Sequence, residues 1–190
     1  DCSKDNSAKI ISKIKENNPF VKIILHTQNK GIGAATKSGH ELSTKENVYL
    51  ISSDGEANVN ELLQIKNSAI NHNEFVLFER TNNPNYGIYR HTLSFLNRVL
   101  NYTFFKVWIY DVNWNKVIKN KHIKNLDLSL TSGLVDAEIV YKLCKRNVVL
   151  KRINSTSKPR QTGKPEGGNF SSVKRALKDV FALRNAVKNY

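Results

Sequence analysis

Val48-Tyr49-Leu50-Ile51-Ser52-Ser53-Asp54-Gly55-Glu56 is an apolar run that stops on two serines and two carboxylates. Val48 to Ser52 is short and continuously apolar at its start, which reads as a buried strand. The residues after it then fall at the rim of a sheet, where the strand fixes the backbone and the side chains reach solvent. Asp54 and Glu56 offer oxygen ligands, the kind that hard cations such as Mg²⁺ or Mn²⁺ take. A cation there would neutralise a diphosphate and stabilise a departing nucleoside diphosphate. The same letters also spell a plain polar turn, because Asp-Gly is a common turn dipeptide.

Outward from this strand, helices and strands alternate. Upstream, Ser7 to Ile14 carries Ile10, Ile11 and Ile14 at helical spacing, with Asp5 or Ser7 able to cap it. Val21 to Leu25 is a β-branched run bounded by Pro19 and polar residues, and reads as a strand. Gly31 to Leu42 is a loop feeding a helix. Downstream, Val59 to Ile70 is helical and Phe75 to Phe78 is a buried strand. Asn82 to Tyr86 is a polar turn, Arg90 to Phe105 a helix, and Asp111 to Ile118 irregular or extended. Leu134 to Arg146 is a helix and Val148 to Ile153 a strand. The expected fold class is α/β, a Rossmann-like, mostly parallel sheet flanked by helices. Ligands of such sheets bind outside the carboxyl ends of the strands.

The chain has 190 residues, enough for one domain with a sizeable core. No apolar run approaches the length of a transmembrane helix. The opening Asp1-Cys2-Ser3-Lys4 has neither an initiator Met nor a signal-peptide pattern, so the expectation is a fragment whose start lies upstream. Cys2 and Cys144 match no metal or redox spacing and read as reduced thiols. The net charge of +14 favours an anionic partner: nucleotide phosphates, a membrane surface or nucleic acid. From Lys142 to Tyr190 there are thirteen Lys or Arg against two acids. Three parts follow: a catalytic domain over 1–154, a mobile basic loop over 155–169 and a basic amphipathic helix over 170–190.

Asn29-Lys30-Gly31-Ile32-Gly33-Ala34-Ala35 lies between strand and helix, where small residues allow close backbone approach and a helix N-terminus presents amides. With Asp1-Cys2-Ser3-Lys4-Asp5-Asn6-Ser7 before it and the Asp54 motif after it, the order resembles the family 2 glycosyltransferases of the GT-A fold. The resemblance is greatest to the branch of dolichol-phosphate mannose synthase and other polyprenyl-phosphate sugar transferases. Asp1 to Ser7 resembles the end of the family's Asp-Asp-Gly-Ser-Thr-Asp-Asn-Ser segment, with Cys2 for Gly. Asn29, Gly31, Gly33 and Ala35 resemble its Asn-x-Gly-x-Gly-x-Ala. Arg80, Arg90 with Ser94, Asp111-Val112-Asn113 with Lys116, Asp136-Ala137-Glu138 and Pro159-Arg160-x-x-Gly163-Lys164 resemble later family positions. The family's first strand, with its Pro-x-Tyr-Asn-Glu segment, is missing.

The resemblance implies inverting transfer of a sugar from a GDP- or UDP-sugar to an acceptor, expected to be a polyprenyl or dolichyl phosphate at the cytoplasmic face of a membrane. Asp1, Asp5, Asn29 and Gly31 would then frame the nucleotide, and Arg80, Arg160 and Lys164 would grip donor phosphates. Arg90 and Ser94 would meet the acceptor. Asp54 is expected in catalysis, with Asp111 and Glu138 as base candidates for a hydroxyl acceptor. The family's Asp-x-Asp is here Ser52-x-Asp54, and Glu56 stands where the mannose synthase branch has Gln; Glu56 is expected to restore the lost charge, so Asp54 and Glu56 would hold Mg²⁺ or Mn²⁺. The alternatives are a catalytically degenerate relative that binds nucleotide or a partner, and a basic nucleic-acid binder. The last wants exposed aromatics among its basic residues, and the aromatics here fall in apolar periodic positions, so no nucleic-acid partner is expected.

Overall fold

A computed structural model describes residues 1–66, 70–82, 88–158, 170–188 and 190. In chain order its elements are α1 (Ser7–Glu16), α2 (Ile32–Leu42), β1 (Asn47–Leu50), a 3₁₀ turn (Val59–Glu61) running into α3 (Leu62–Lys66), and β2 (Glu74–Asn82). Then follow α4 (Ile88–Phe105), β3 (Lys116–Lys119), α5 (Asn120–Lys124), α6 (Val135–Lys145), β4 (Val149–Thr156) and α7 (Phe170–Lys188). The α/β class holds.

The sheet is mixed rather than mostly parallel, in the order β1-β3-β2-β4. β3 runs antiparallel to both β1 and β2, and β2 pairs parallel with β4. The 111–118 stretch, read as irregular or extended, turns at Asp111–Trp114 and goes straight back into the sheet as β3. Its reversal puts the start of β3 beside the carboxyl ends of β1 and β2, on the same edge as that of β4. The 51–56, 79–82, 111–115 and 155–158 segments therefore share one edge.

Val21 to Leu25 forms no strand. Strand propensity does not suffice, because a strand exists by virtue of the ladder it joins. β1 has β3 on one side and no ladder on the other among the described residues. Leu25 stays 60% exposed, as do Ile10 and Ile14 of α1 at 59% and 50%, so the N-terminal quarter contributes little to the core.

Alternation along β2 builds the two sides of that core. Phe75 and Leu77 join Ile118 and the α6 residues Val135, Ile139, Val140 and Leu143. Val76 and Phe78 face the other way, with Ala57, Trp114 and Val117. Each fully buried Phe, Leu or Val contributes roughly 1.5–3 kcal/mol. α7 closes the first cluster with Leu183 and Val187, while Phe181 points outward at 61% exposure.

Candidate active site

Asp54-Gly55 is a true turn. Gly55 takes φ 76°, and the Asp54 carboxylate accepts from the Glu56 amide at 3.1 Å. The turn delivers the Glu56 side chain to Arg80, with Nη1 to Oε2 at 3.7 Å. Arg80 comes from the last residues of β2, on the Val76–Phe78 side of the sheet. Its Nε donates to the Asp111 carboxylate, and its guanidinium lies 4.1 Å above the Trp114 ring centroid. Arg80, Glu56 and Asp111 are each only 12–15% exposed. Three expected residues from three distant stretches thus meet, with Asp54 on the same turn as Glu56.

Carboxylates outnumber cations in this group. Asp54, Glu56 and Asp111 stand against Arg80, with exposed Lys158 at the margin, where its amide donates to the Glu56 carbonyl at 2.8 Å. A diphosphate would be repelled by that balance unless a cation accompanied it. Among the described residues no three acidic, His or Cys side chains form a ready cage. Asp54 and Glu56 are nonetheless hard oxygen donors on one turn. A Mg²⁺-type site needs no more than one or two carboxylates, completed by phosphates and water.

A second group surrounds Asp1. Its carboxylate accepts from the amides of Lys30 (2.9 Å) and Gly31 (2.8 Å), and it lies 2.7 Å from His26 Nδ1. The Asn29 side chain also accepts from the Gly31 amide, at 3.2 Å. The amides before α2 are thus already engaged by Asp1. Gly31 takes φ 90°, and a Cβ at Gly33 would stand 2.2 Å from the Leu130 carbonyl, so the close approach these glycines allow is to the 130–131 backbone. His26 Nε2 lies 3.0 Å from Ser38 Oγ. The Asp1–His26–Ser38 order looks like an acyl-transfer triad, but Ser38 is inside α2, where the neighbouring amides are committed to the helix ladder and cannot form an oxyanion hole. Asp5 accepts from the Ser7 amide at 3.0 Å and opens α1; its bonds from Ser7 lower its pKa. Cys2, where the family has Gly, takes φ 56°, a region glycine fills at least cost.

Glu138 lies elsewhere, fully buried in α6. It accepts from Ser129 N (3.0 Å), Leu130 N (3.0 Å), Ser129 Oγ (2.8 Å) and Lys142 Nζ (2.8 Å). Burial pushes its pKa up, but Lys142 and the amides outweigh this and the net shift is downward. Asp136 pairs with Lys116 of β3 at 2.5 Å. Ser94 is half-buried in α4, and its carbonyl accepts from Arg98 Nε at 3.3 Å. Arg90 lies in the first turn of α4; its side chain, and Arg160 and Lys164 altogether, are outside the described residues, as is most of the 155–169 loop.

Two residues of this region carried no motif. Trp114 supplies the ring beneath Arg80, and Glu61 is buried at the carboxyl end of β4 (5% exposed). A Trp between two asparagines was the available signal for the first; nothing in the sequence marks the second.

A family profile, Glycosyl transferase family 2, matches residues 1–143. The chain belongs to this family. The matched span holds Asp54, Glu56, Arg80 and Asp111, and the mixed sheet with its flanking helices is GT-A-like. No curated protein matches. Among solved structures, a mycobacterial protein is similar in fold, with a TM-score of 0.59 at 14% identity over 97% of this chain. The chain spans 59% of that protein's length. No helix among the described residues is long and apolar enough to cross a membrane.

Proposed function

We propose that the chain is the catalytic domain of an inverting glycosyltransferase that moves a sugar from a GDP- or UDP-sugar to a polyprenyl or dolichyl phosphate at a membrane surface. The observation that carries this is the meeting of Glu56, Arg80 and Asp111 at the carboxyl ends of the strands, inside the family-matched span. Ligands of open α/β sheets bind at that edge. Arg80 is held on three sides, by Glu56, Asp111 and Trp114, so its planar fork is preorganised for a donor phosphate. Asp54 and Glu56 would hold Mg²⁺ or Mn²⁺, which would supply charge neutralisation to the leaving diphosphate.

Inversion needs the acceptor oxygen to approach the anomeric carbon opposite the leaving diphosphate. A lipid phosphate is already an anionic nucleophile and needs no strong base. With a hydroxyl acceptor, Asp111 is the base candidate at the site. Glu138 is buried and bonded to four donors, and we assign it to the fold. Arg160 and Lys164 are proposed to add phosphate contacts, and Arg90 with Ser94 to meet the acceptor. Outward-facing Phe181, with exposed Arg184 and Lys188 on the same helix, suits contact with an anionic membrane.

The test is an assay of GDP- and UDP-sugars with polyprenyl phosphate in vesicles, with and without Mn²⁺. Transfer is expected from one donor class and only with the cation. Tight nucleotide binding without transfer would favour the degenerate binder that Ser52, in place of a carboxylate, makes conceivable.

A further inference from the structure

Glu61 is, with Glu138, one of two buried acids among the described residues, and it sits behind the site rather than in it. Its Oε1 accepts from the Thr156 amide at 2.9 Å, and its Oε2 accepts from Ser155 Oγ at 2.7 Å. Ser155 Oγ in turn accepts from Trp114 Nε1 at 2.8 Å, and this bond is buried. The Trp114 ring carries the Arg80 guanidinium, which reaches Glu56 and Asp111. A continuous path therefore runs from the first turn after the Asp54 motif, through the end of β4, to the cation of the site. Ser155 is 1% exposed and Trp114 5%, so neither bond is exchanged readily with water.

We infer that Glu61 is a positioning residue for Arg80, acting through Ser155 and Trp114. This rests on the reading of Arg80 as the grip on donor phosphate. An indole bonded at its N–H and packed in the core is restrained in tilt, and a guanidinium stacked on it keeps its fork close to one plane. Glu61 also ties the 155–156 backbone to the segment that follows Glu56. The Lys158 amide makes a second tie there, to the Glu56 carbonyl. Losing the carboxylate would leave the Ser155 hydroxyl unanchored, loosen its hold on the indole N–H and let the Arg80 guanidinium shift on the ring while it keeps its bond to Asp111. The cost would fall on donor affinity more than on turnover, because phosphate contact is made in the ground state as well as in the transition state.

Calorimetric titration with GDP and with UDP tests this in Glu61→Ala, Arg80→Ala and the double variant. Glu61→Ala is expected to weaken nucleotide binding about tenfold, the worth of one oriented charge-assisted contact. In the Arg80→Ala background the same change is expected to matter less than twofold. Glu61→Gln, which keeps an oxygen for Thr156 and an amide for Ser155, is expected to recover most of the affinity. Ser155→Ala severs the path without emptying the Glu61 site and keeps the test valid if Glu61→Ala folds poorly. In a Trp108→Phe background Trp114 is the remaining tryptophan, and its emission is expected to shift in both Glu61→Ala and Ser155→Ala. Equal losses in the two Arg80 backgrounds, or an unmoved Trp114 emission, would overturn the inference. Unchanged affinity in Arg80→Ala alone would remove the phosphate grip and the inference with it. Absence of sugar transfer with the cycle intact would instead sink only the transferase reading.

Discussion

Position 56 decides what kind of cation chemistry the turn can support. Ser52 removes one carboxylate of the family's pair, and Glu56 adds one two residues beyond Asp54, on a turn that already points at Arg80. If Glu56 is a cation ligand, Glu56→Gln keeps the shape and loses the charge; Mn²⁺ affinity measured in the presence of nucleotide is expected to fall about tenfold. Unchanged affinity and turnover would leave Asp54 alone with the metal. Gly33 poses a question of space rather than charge. A Cβ there would meet the Leu130 carbonyl at 2.2 Å, and both partners are backbone-anchored. Gly33→Ala is expected to cost about 3 kcal/mol or more in urea unfolding, in the range of severe overpacking. Gly39 lies in the same helix with nothing within 4 Å, and Gly39→Ala is expected to gain roughly 0.5–1 kcal/mol. Opposite signs six residues apart would show that the glycines of α2 serve packing at one end only.

Among the elements, those with strong local pattern were legible. Val48–Ser52, Phe75–Phe78 and Val148–Ile153 overlap β1, β2 and β4, and the helices around Leu134–Arg146 and Arg90–Phe105 stand as α6 and α4. What escaped was decided by pairing. Val21–Leu25 has the composition of a strand and no ladder. Lys116–Lys119 has two lysines in four residues, yet forms the buried antiparallel β3 because Asp136 and Glu46 neutralise those lysines. The site was legible to a similar degree: the motif order singled out Arg80, Glu56 and Asp111, but not the Trp114 and Glu61 that hold them. Glu138 shows the limit of motif reasoning, since an acid on α6 can serve either chemistry or packing. Its carboxylate joins α6 to the 129–130 segment and neutralises Lys142, which is 3% exposed. Glu138→Ala would strand that lysine, and a loss of about 3–5 kcal/mol is expected. A folded Glu138→Ala protein with normal stability and no transfer would instead restore its candidacy as the base.

Acid should weaken the whole molecule in two stages that differ in origin. His40 of α2 is 4% exposed; burial, and secondarily the nearby Lys116, push its pKa down to about 4. The unfolded chain takes up that proton near pH 6.5, while the folded chain resists it. Stability is therefore full above about pH 6.5 and falls by roughly one proton's slope until about pH 4, a loss of about 3 kcal/mol. Glu138, whose folded pKa is lowered, adds its loss only below the ordinary carboxylate range, as pH drops through its folded value. The net charge of +14 also grows as acids protonate, and self-repulsion then contributes to the same decline. Salt separates these causes. Repulsion between exposed lysines is screened within a Debye length of about 10 Å at 0.1 M, whereas the desolvation of a buried imidazole is not. Urea midpoints at pH 7.5, 5.5 and 4, each at low and high salt, are thus expected to keep the upper stage at both ionic strengths. His40→Gln is expected to flatten that stage while leaving the one below pH 4. If high salt abolished the upper stage in the unaltered chain, the surface charge and not His40 would control it.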